Sequence, residues 1–172
     1  MRLKTPEGLA KEEHNLATVT RALEEMINTG DFSNASQRWA QDIIFHSPTG
    51  QTTRTLKEMV NELEVAHRAF PDMHLEVHEM LADGDYVAVR YTLTGTHRGE
   101  FNGIPPTGRS FKVAEMILHR FDDGGMEREM WPHIDFMGLM RQIGAMPEGP
   151  PPKAMLALMS FMQKLQRVFR SR

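Results

Sequence analysis

Thr5-Pro6-Glu7 supplies an N-cap, a first-turn proline and a first-turn acid. Apolar residues then recur at helical spacing, Leu16, Val19, Leu23 and Met26/Ile27, until Gly30 stops the run. A short second helix is expected over Ser33 to Ala40, followed by a brief strand, "DIIFHSP", ending at Pro48. The third helix has the best signals. Thr55 and Glu58 form a capping-box pattern, Leu56, Met59, Val60, Leu63, His67 and Phe70 share a stripe, and Pro71 closes it. Beyond Pro71 the period falls from 3.6 to 2. "MHLEVHEMLADGDYVAVRYTLTGTH" reads as two strands joined at Asp83-Gly84, and "RSFKVAEMILHRFDDGGMEREMWPHID" as two more joined near Asp123-Gly124-Gly125. Helices first and a meander of long strands afterwards predict an α+β chain with helices packed on a curved sheet.

Two stretches interrupt this order. Gly95 to Phe111, "GTHRGEFNGIPPTGRSF", holds four glycines and two prolines between alternating segments. A tight hairpin needs only about two to five residues, so a loop with its own task is expected. Residues 147–153 close a Pro-rich stretch and read as a semi-rigid connector. Over residues 154–172, Met155, Leu158, Met159, Met162, Leu165 and Phe169 form a helical stripe with Lys164, Arg167, Arg170 and Arg172 near its end. The expectation is a domain over residues 1–146 and an amphipathic C-terminal helix that docks on its own sheet or on a partner subunit.

Composition narrows the chemistry. A chain of 172 residues with 40% hydrophobic and 25% charged residues suits one globular domain with room for a pocket. A net charge of -3 offers no footprint for nucleic acid. The absence of cysteine removes disulfides, thiolate nucleophiles and cysteine-based metal sites. Neither a secretory signal nor a run of about 20 apolar residues is found, so a cytoplasmic location and no membrane partner are expected. His133-x-Asp135 is the only spacing suited to a metal, and two ligands are too few, so no metal and no cofactor are expected.

"GDF" at 30–32, "AFPDM" at 69–73, "DGDYVAVRYTLTGTHRGEFNGIPPTGR" at 83–109 and "EMWPHIDFMGLMRQIG" at 129–144 together resemble the SnoaL-like polyketide cyclase family, also called ester cyclases, of the NTF2-like superfamily. The resemblance implies a cone-shaped α+β barrel, three N-terminal helices against a curved antiparallel sheet, commonly as a homodimer. It departs from the family's D-G-K-I-x-E-x-W pattern at "DDGGMEREMW", which has one extra residue and Glu127 at an apolar position; a β-bulge there would account for both.

Strand parity sorts the candidate side chains. Phe111, Val113, Glu115, Ile117, His119 and Phe121 share one face, and Glu129, Trp131, His133 and Asp135 share another. If both faces are concave, an acidic and imidazole-bearing cluster lines an apolar cup, with Trp131 as the wall for a ring-shaped ligand. The resemblance maps the family's acid/base aspartate to Asp135, in a metal-free intramolecular aldol closure; the alternative is that Asp135 only caps the helix that follows. His97 and Arg98 are expected at the rim of the cone, where the Pro-rich loop folds back over its mouth; His97 is the second catalytic candidate, donating to a carbonyl oxygen or relaying a proton to Asp135, and the alternative is an exposed or loop-bracing histidine. His119 and Glu115 are candidates for holding the substrate or Asp135, or for a self-satisfied buried pair. His46 has a place at the pocket mouth, and Arg90 either enters the pocket or makes an ion pair on the outer face. The expected function is cofactor-independent acid/base cyclisation or isomerisation of a small hydrophobic, polyketide-like carbonyl compound. The alternatives are epoxide hydrolysis or dehydration in the same pocket, or a non-catalytic module for an apolar ligand.

Overall fold

The computed structural model describes residues 4–146; the connector at 147–153 and the helix expected at 154–172 lie outside the described residues. Helix α1, Pro6–Ala22, starts at Thr5, whose hydroxyl accepts from the Gly8 amide at 3.2 Å. It runs on into a π-turn at Leu23–Asn28. Helix α2, Leu56–Ala69, starts at Thr55, which accepts from the Glu58 amide, while the Glu58 carboxylate reaches back to the Arg54 amide. Helix α3, Phe136–Gln142, follows the sheet.

The strands are β1 Trp39–His46, β2 Thr52–Thr53, β3 His74–Asp83, β4 Tyr86–Thr96, β5 Ser110–Phe121 and β6 Glu127–Ile134. They form one sheet in the order β2-β1-β6-β5-β4-β3. The sheet is mixed and open: β1 runs parallel to β6, every other pair is antiparallel, and β2 and β3 are edges. This is the α+β architecture expected, with one parallel pair in a sheet expected to be antiparallel throughout.

The second helix expected over Ser33 to Ala40 is not present. Only a 3₁₀ turn, Ala35–Gln37, occurs there, and Trp39 and Ala40 already belong to β1. Asp31 accepts from the Ser33 amide at 2.9 Å, and such local side-chain bonds compete with helix propagation. Burying Trp39, Ile43 and Phe45 from a strand then decides the outcome.

Both hairpin signals hold. Gly84 and Gly125 take positive φ, 59° and 78°, at the turns where a side chain would be strained. Helix α1 braces the first turn through Glu12, which accepts from the Gly84 amide at 2.9 Å, and Asn15, which donates to the Gly84 carbonyl. The core runs from Val19 and Met26 of the first helical segment, through Ile43, Phe45 and Met59, to Val87, Val89, Phe111, Phe121 and Ile143. Helices and sheet thus enclose one apolar interior, and β5 lies along its length.

Candidate functional site

The concave face of β5 alternates without a break: Phe111, Val113, Glu115, Ile117, His119 and Phe121 are buried, while Lys112, Ala114, Met116 and Leu118 are exposed. Two ionisable groups therefore point into the apolar interior. Glu115 is 3% exposed, and neither carboxyl oxygen has a hydrogen-bond partner among the described residues. Burial pushes its carboxyl up to about 7, an effect that the hydroxyl of the cross-strand neighbour Tyr91 only partly opposes. Burial likewise raises the Tyr91 phenol well above its usual range, with the Glu115 charge adding to the rise.

At the far end of the same face stands a hydrogen-bonded chain. Trp39 Nε1 donates to Glu127 Oε2 at 2.8 Å, and Glu127 Oε1 meets His119 Nδ1 at 2.5 Å. All three residues are buried, and His119 Nε2 has no hydrogen-bond partner among the described residues.

Glu127 owes its place to a bulge. Phe121 pairs with Glu127, yet Arg120 pairs with Glu129, so Arg128 is the extra residue. Before it, odd positions of β5 face odd positions of β6; after it, His119 pairs with Met130 and Ile117 with Pro132. One inserted residue turns every later side chain to the other face. The inward set on β6 is therefore Glu127, then Met130, Pro132 and Ile134. Glu129, Trp131 and His133, expected on the concave face, lie on the outer one.

Trp131 is thus not a wall of the cup. It stacks on His46 with ring centroids 5.4 Å apart, beside an outer cleft of about 300 Å³ lined by both residues, Pro48 and His133. His46 Nε2 meets Glu129 Oε1 at 2.9 Å, and Arg120 donates to Glu129 Oε2 at 2.7 Å. Burial works to raise the Glu129 carboxyl, but those two partners outweigh it and hold the group below its ordinary value. Arg90 is also outside, donating to Glu79 at 2.7 Å.

His97 is not at a rim. It is fully buried, packs against the Phe70 ring at 5.4 Å, and lies 3.2 Å from Thr107 through Nδ1, with Nε2 unpartnered among the described residues. The loop around it is bound to the end of α2, because the Arg98 and Gly99 amides both donate to the Ala69 carbonyl. Arg98 remains exposed, 4.0 Å from Asp72. Asp135 is exposed and accepts from the Gly138 amide at 2.8 Å, the geometry of an N-cap. It stands one residue beyond Ile134, the register partner of Glu115 and the last residue of β6.

Residues 17–143 match the family described as SnoaL-like polyketide cyclase. The chain belongs to that family. Aklanonic acid methyl ester cyclase DauD of Streptomyces sp. (strain C5) is 28% identical, with 78% of this chain and 90% of the relative covered. A SnoaL-like polyketide cyclase structure from Jannaschia sp. CCS1 superposes with a TM-score of 0.73 at 26% identity, over 86% of this chain and all of the other. AclR from Streptomyces galilaeus, which carries a hydroxylase designation, has a TM-score of 0.66 at 30% identity, with 96% of this chain and 99% of that one covered. The open α+β fold is the SnoaL/NTF2-like one.

Trp39, Tyr91 and Glu127 are the polar-tipped cup residues that the sequence reading passed over. Glu127 had a signal, a carboxylate where the family pattern is apolar. Trp39 had none, because it fell inside the expected helix.

Among the described residues no three His, Cys, Asp or Glu side chains gather as a metal-holding group, and no helix is long and apolar enough to cross a membrane.

Proposed function

We propose that this SnoaL-like family member is a cofactor-independent cyclase that closes a ring in a hydrophobic, polyketide-like carbonyl substrate by intramolecular aldol addition. The observation that carries the reading is Glu115: a carboxyl on the inward face of β5, in the apolar interior and without a hydrogen-bond partner among the described residues, its pKa raised to about 7, where one group can both give and take a proton near neutrality. The comparison that supports it is the family membership together with the ester cyclases among the relatives.

In the proposed step Asp135 takes a proton from a carbon flanked by carbonyl groups. The resulting enolate carbon bonds to a second carbonyl carbon, and Glu115 donates a proton to the alkoxide formed there. The proton on Asp135 then restores Glu115, so no atom is gained or lost and the product is an isomer of the substrate. His97 and His119 hold substrate oxygens in the cup; Trp131, His46 and Arg90, on the outer face, take no part. The compartment proposed is the cytoplasm. The partner proposed is a second copy of the chain on the outer sheet face, where Leu81, Tyr86, Met116 and Leu118 stand exposed and a monomer would leave them in water.

Aklanonic acid methyl ester, the compound in the relatives' names, is the first substrate to supply. Mass spectrometry should show a product of unchanged mass. An added oxygen would indicate hydroxylation, and gained or lost water would indicate hydrolysis or dehydration. Glu115→Gln and Asp135→Asn should each slow turnover by roughly 10² to 10⁴, the usual contribution of a positioned acid or base. Asn caps a helix as well as Asp does, so Asp135→Asn should melt like the wild type. Full activity in both variants would remove the acid/base assignment, and no isomer from any aromatic polyketide methyl ester would remove the cyclase reading.

A further inference from the structure

The Trp39–Glu127–His119 chain moves no proton in the step above, and it follows from the residue inserted at Arg128. Each link has a fixed direction. An indole N–H is only a donor, so Glu127 Oε2 is an acceptor towards Trp39. A carboxylate is acceptor-only, so Oε1 also accepts and His119 Nδ1 carries the hydrogen. The ring's other nitrogen is buried without a hydrogen-bond partner among the described residues. In its neutral form the ring therefore keeps its hydrogen on Nδ1, facing the carboxylate, and leaves the lone pair on Nε2. His119 is thus held as the Nδ1–H tautomer.

We propose that Trp39 and Glu127 act as positioning residues that present His119 Nε2 to the cup as a hydrogen-bond acceptor, which makes a hydroxyl group on the ligand a determinant of specificity. The inference rests on the reading of the cup as the ligand site. A phenol or enol O–H satisfies Nε2. A methyl ether or a carbonyl at the same place brings no donor and leaves the nitrogen unpaired. Sites built to bond a hydroxyl discriminate strongly against analogues that lack it. The loss expected for one buried unpaired group is about tenfold to a hundredfold in affinity.

Glu127→Gln makes the test directional. The amide oxygen must still accept from Trp39, so the amide NH₂ turns to His119 Nδ1 and forces that nitrogen to accept. Nε2 then carries the hydrogen and becomes a donor. The size of the cup is nearly unchanged while the polarity of its hydrogen bond is reversed.

Two measurements on the full chain test this without any turnover. Nitrogen-15 spectra of histidine-labelled protein, with the His119 signals assigned by their loss in His119→Gln, should show hydrogen on Nδ1 in the wild type and on Nε2 in Glu127→Gln. Titration with 2-naphthol and 2-methoxynaphthalene should favour the naphthol by about tenfold or more in the wild type. Glu127→Gln should lose or invert that preference. Hydrogen on Nε2 in the wild type, wild-type binding that does not distinguish the two probes, or a preference that persists in Glu127→Gln would each overturn the proposal. The wild-type measurements decide even if the variant does not fold. The expected tautomer and preference in a protein that cyclises nothing would count against the cyclase reading alone.

Discussion

Glu115 couples the proposed chemistry to stability. Glu115 has a folded-state pKa of about 7 against an ordinary 4.5, so the folded chain keeps its proton over a range where the unfolded chain has lost it. Stability is therefore full below about 4.5, falls as pH rises towards 7, and falls no further above it, by at most about 3 kcal/mol from this group. Glu115→Gln should remove that slope and be more stable than the wild type at pH 8, by chemical denaturation across the range. A wild-type slope unchanged in Glu115→Gln would show that the carboxyl is not buried as described. At this scale much was legible: strand parity put Glu115 and His119 on one face of β5, the buried one, and the preference of Asp for a helix cap was the alternative reading at Asp135. The environment first sought at Asp135, a carboxyl whose charge an apolar pocket disfavours, belongs to Glu115. The two positions differ in this way because β6 ends at Ile134 and Asp135 turns out to cap α3.

Elements were read more securely than their joints. The long strands, the two glycine-marked turns and the Thr55 cap were visible because each is a local pattern. The facing of β6 was not, because it depends on one bulged residue whose effect passes down the whole strand. A bulge was foreseen near residues 126–128, but its consequence for Trp131 and His133 requires the register with β5. The 95–111 loop shows the same limit. Its glycines and prolines announced a task, while the task itself, gripping the end of α2, involves residues about thirty positions earlier. Gly99 marks the closest approach: a Cβ there would run into the Arg68 carbonyl, which is backbone and has little room to yield. Gly99→Ala should therefore destabilise the protein by roughly 1–3 kcal/mol, the usual scale for overpacking. Its amide-exchange protection should drop first at Arg98 and Phe101. A variant with wild-type stability would mean that the loop does not depend on this contact. His97, buried by the same loop, should lose its packing against Phe70 in step.

For the molecule as a whole, the question is how the domain relates to the chain beyond residue 146. The described core extends from Val19 to Ile143 and includes residues from α1, α2 and α3. The exposed apolar residues of the outer face, Leu81, Tyr86, Met116 and Leu118, also precede residue 146. A chain ending at residue 147 should therefore fold, with a cooperative melt and the near-ultraviolet signature of packed aromatics. Its sedimentation should match that of a dimer if the outer face is the interface proposed above, because that face remains intact. Some stability should be lost, since the stripe from Met155 to Phe169 is apolar enough to require burial against something. A truncated chain that folds but sediments as a monomer, beside a dimeric full-length protein, would assign the interface to residues 148–172 instead of the sheet. Truncation that abolishes folding would make those residues part of the core, and the domain boundary at residue 146 would be wrong. Leu118→Lys in the full-length chain separates the remaining cases. Leu118 is on the outer face, away from the cup, so a charge there should dissociate a sheet-mediated dimer while leaving Glu115, His119 and the binding of 2-naphthol undisturbed.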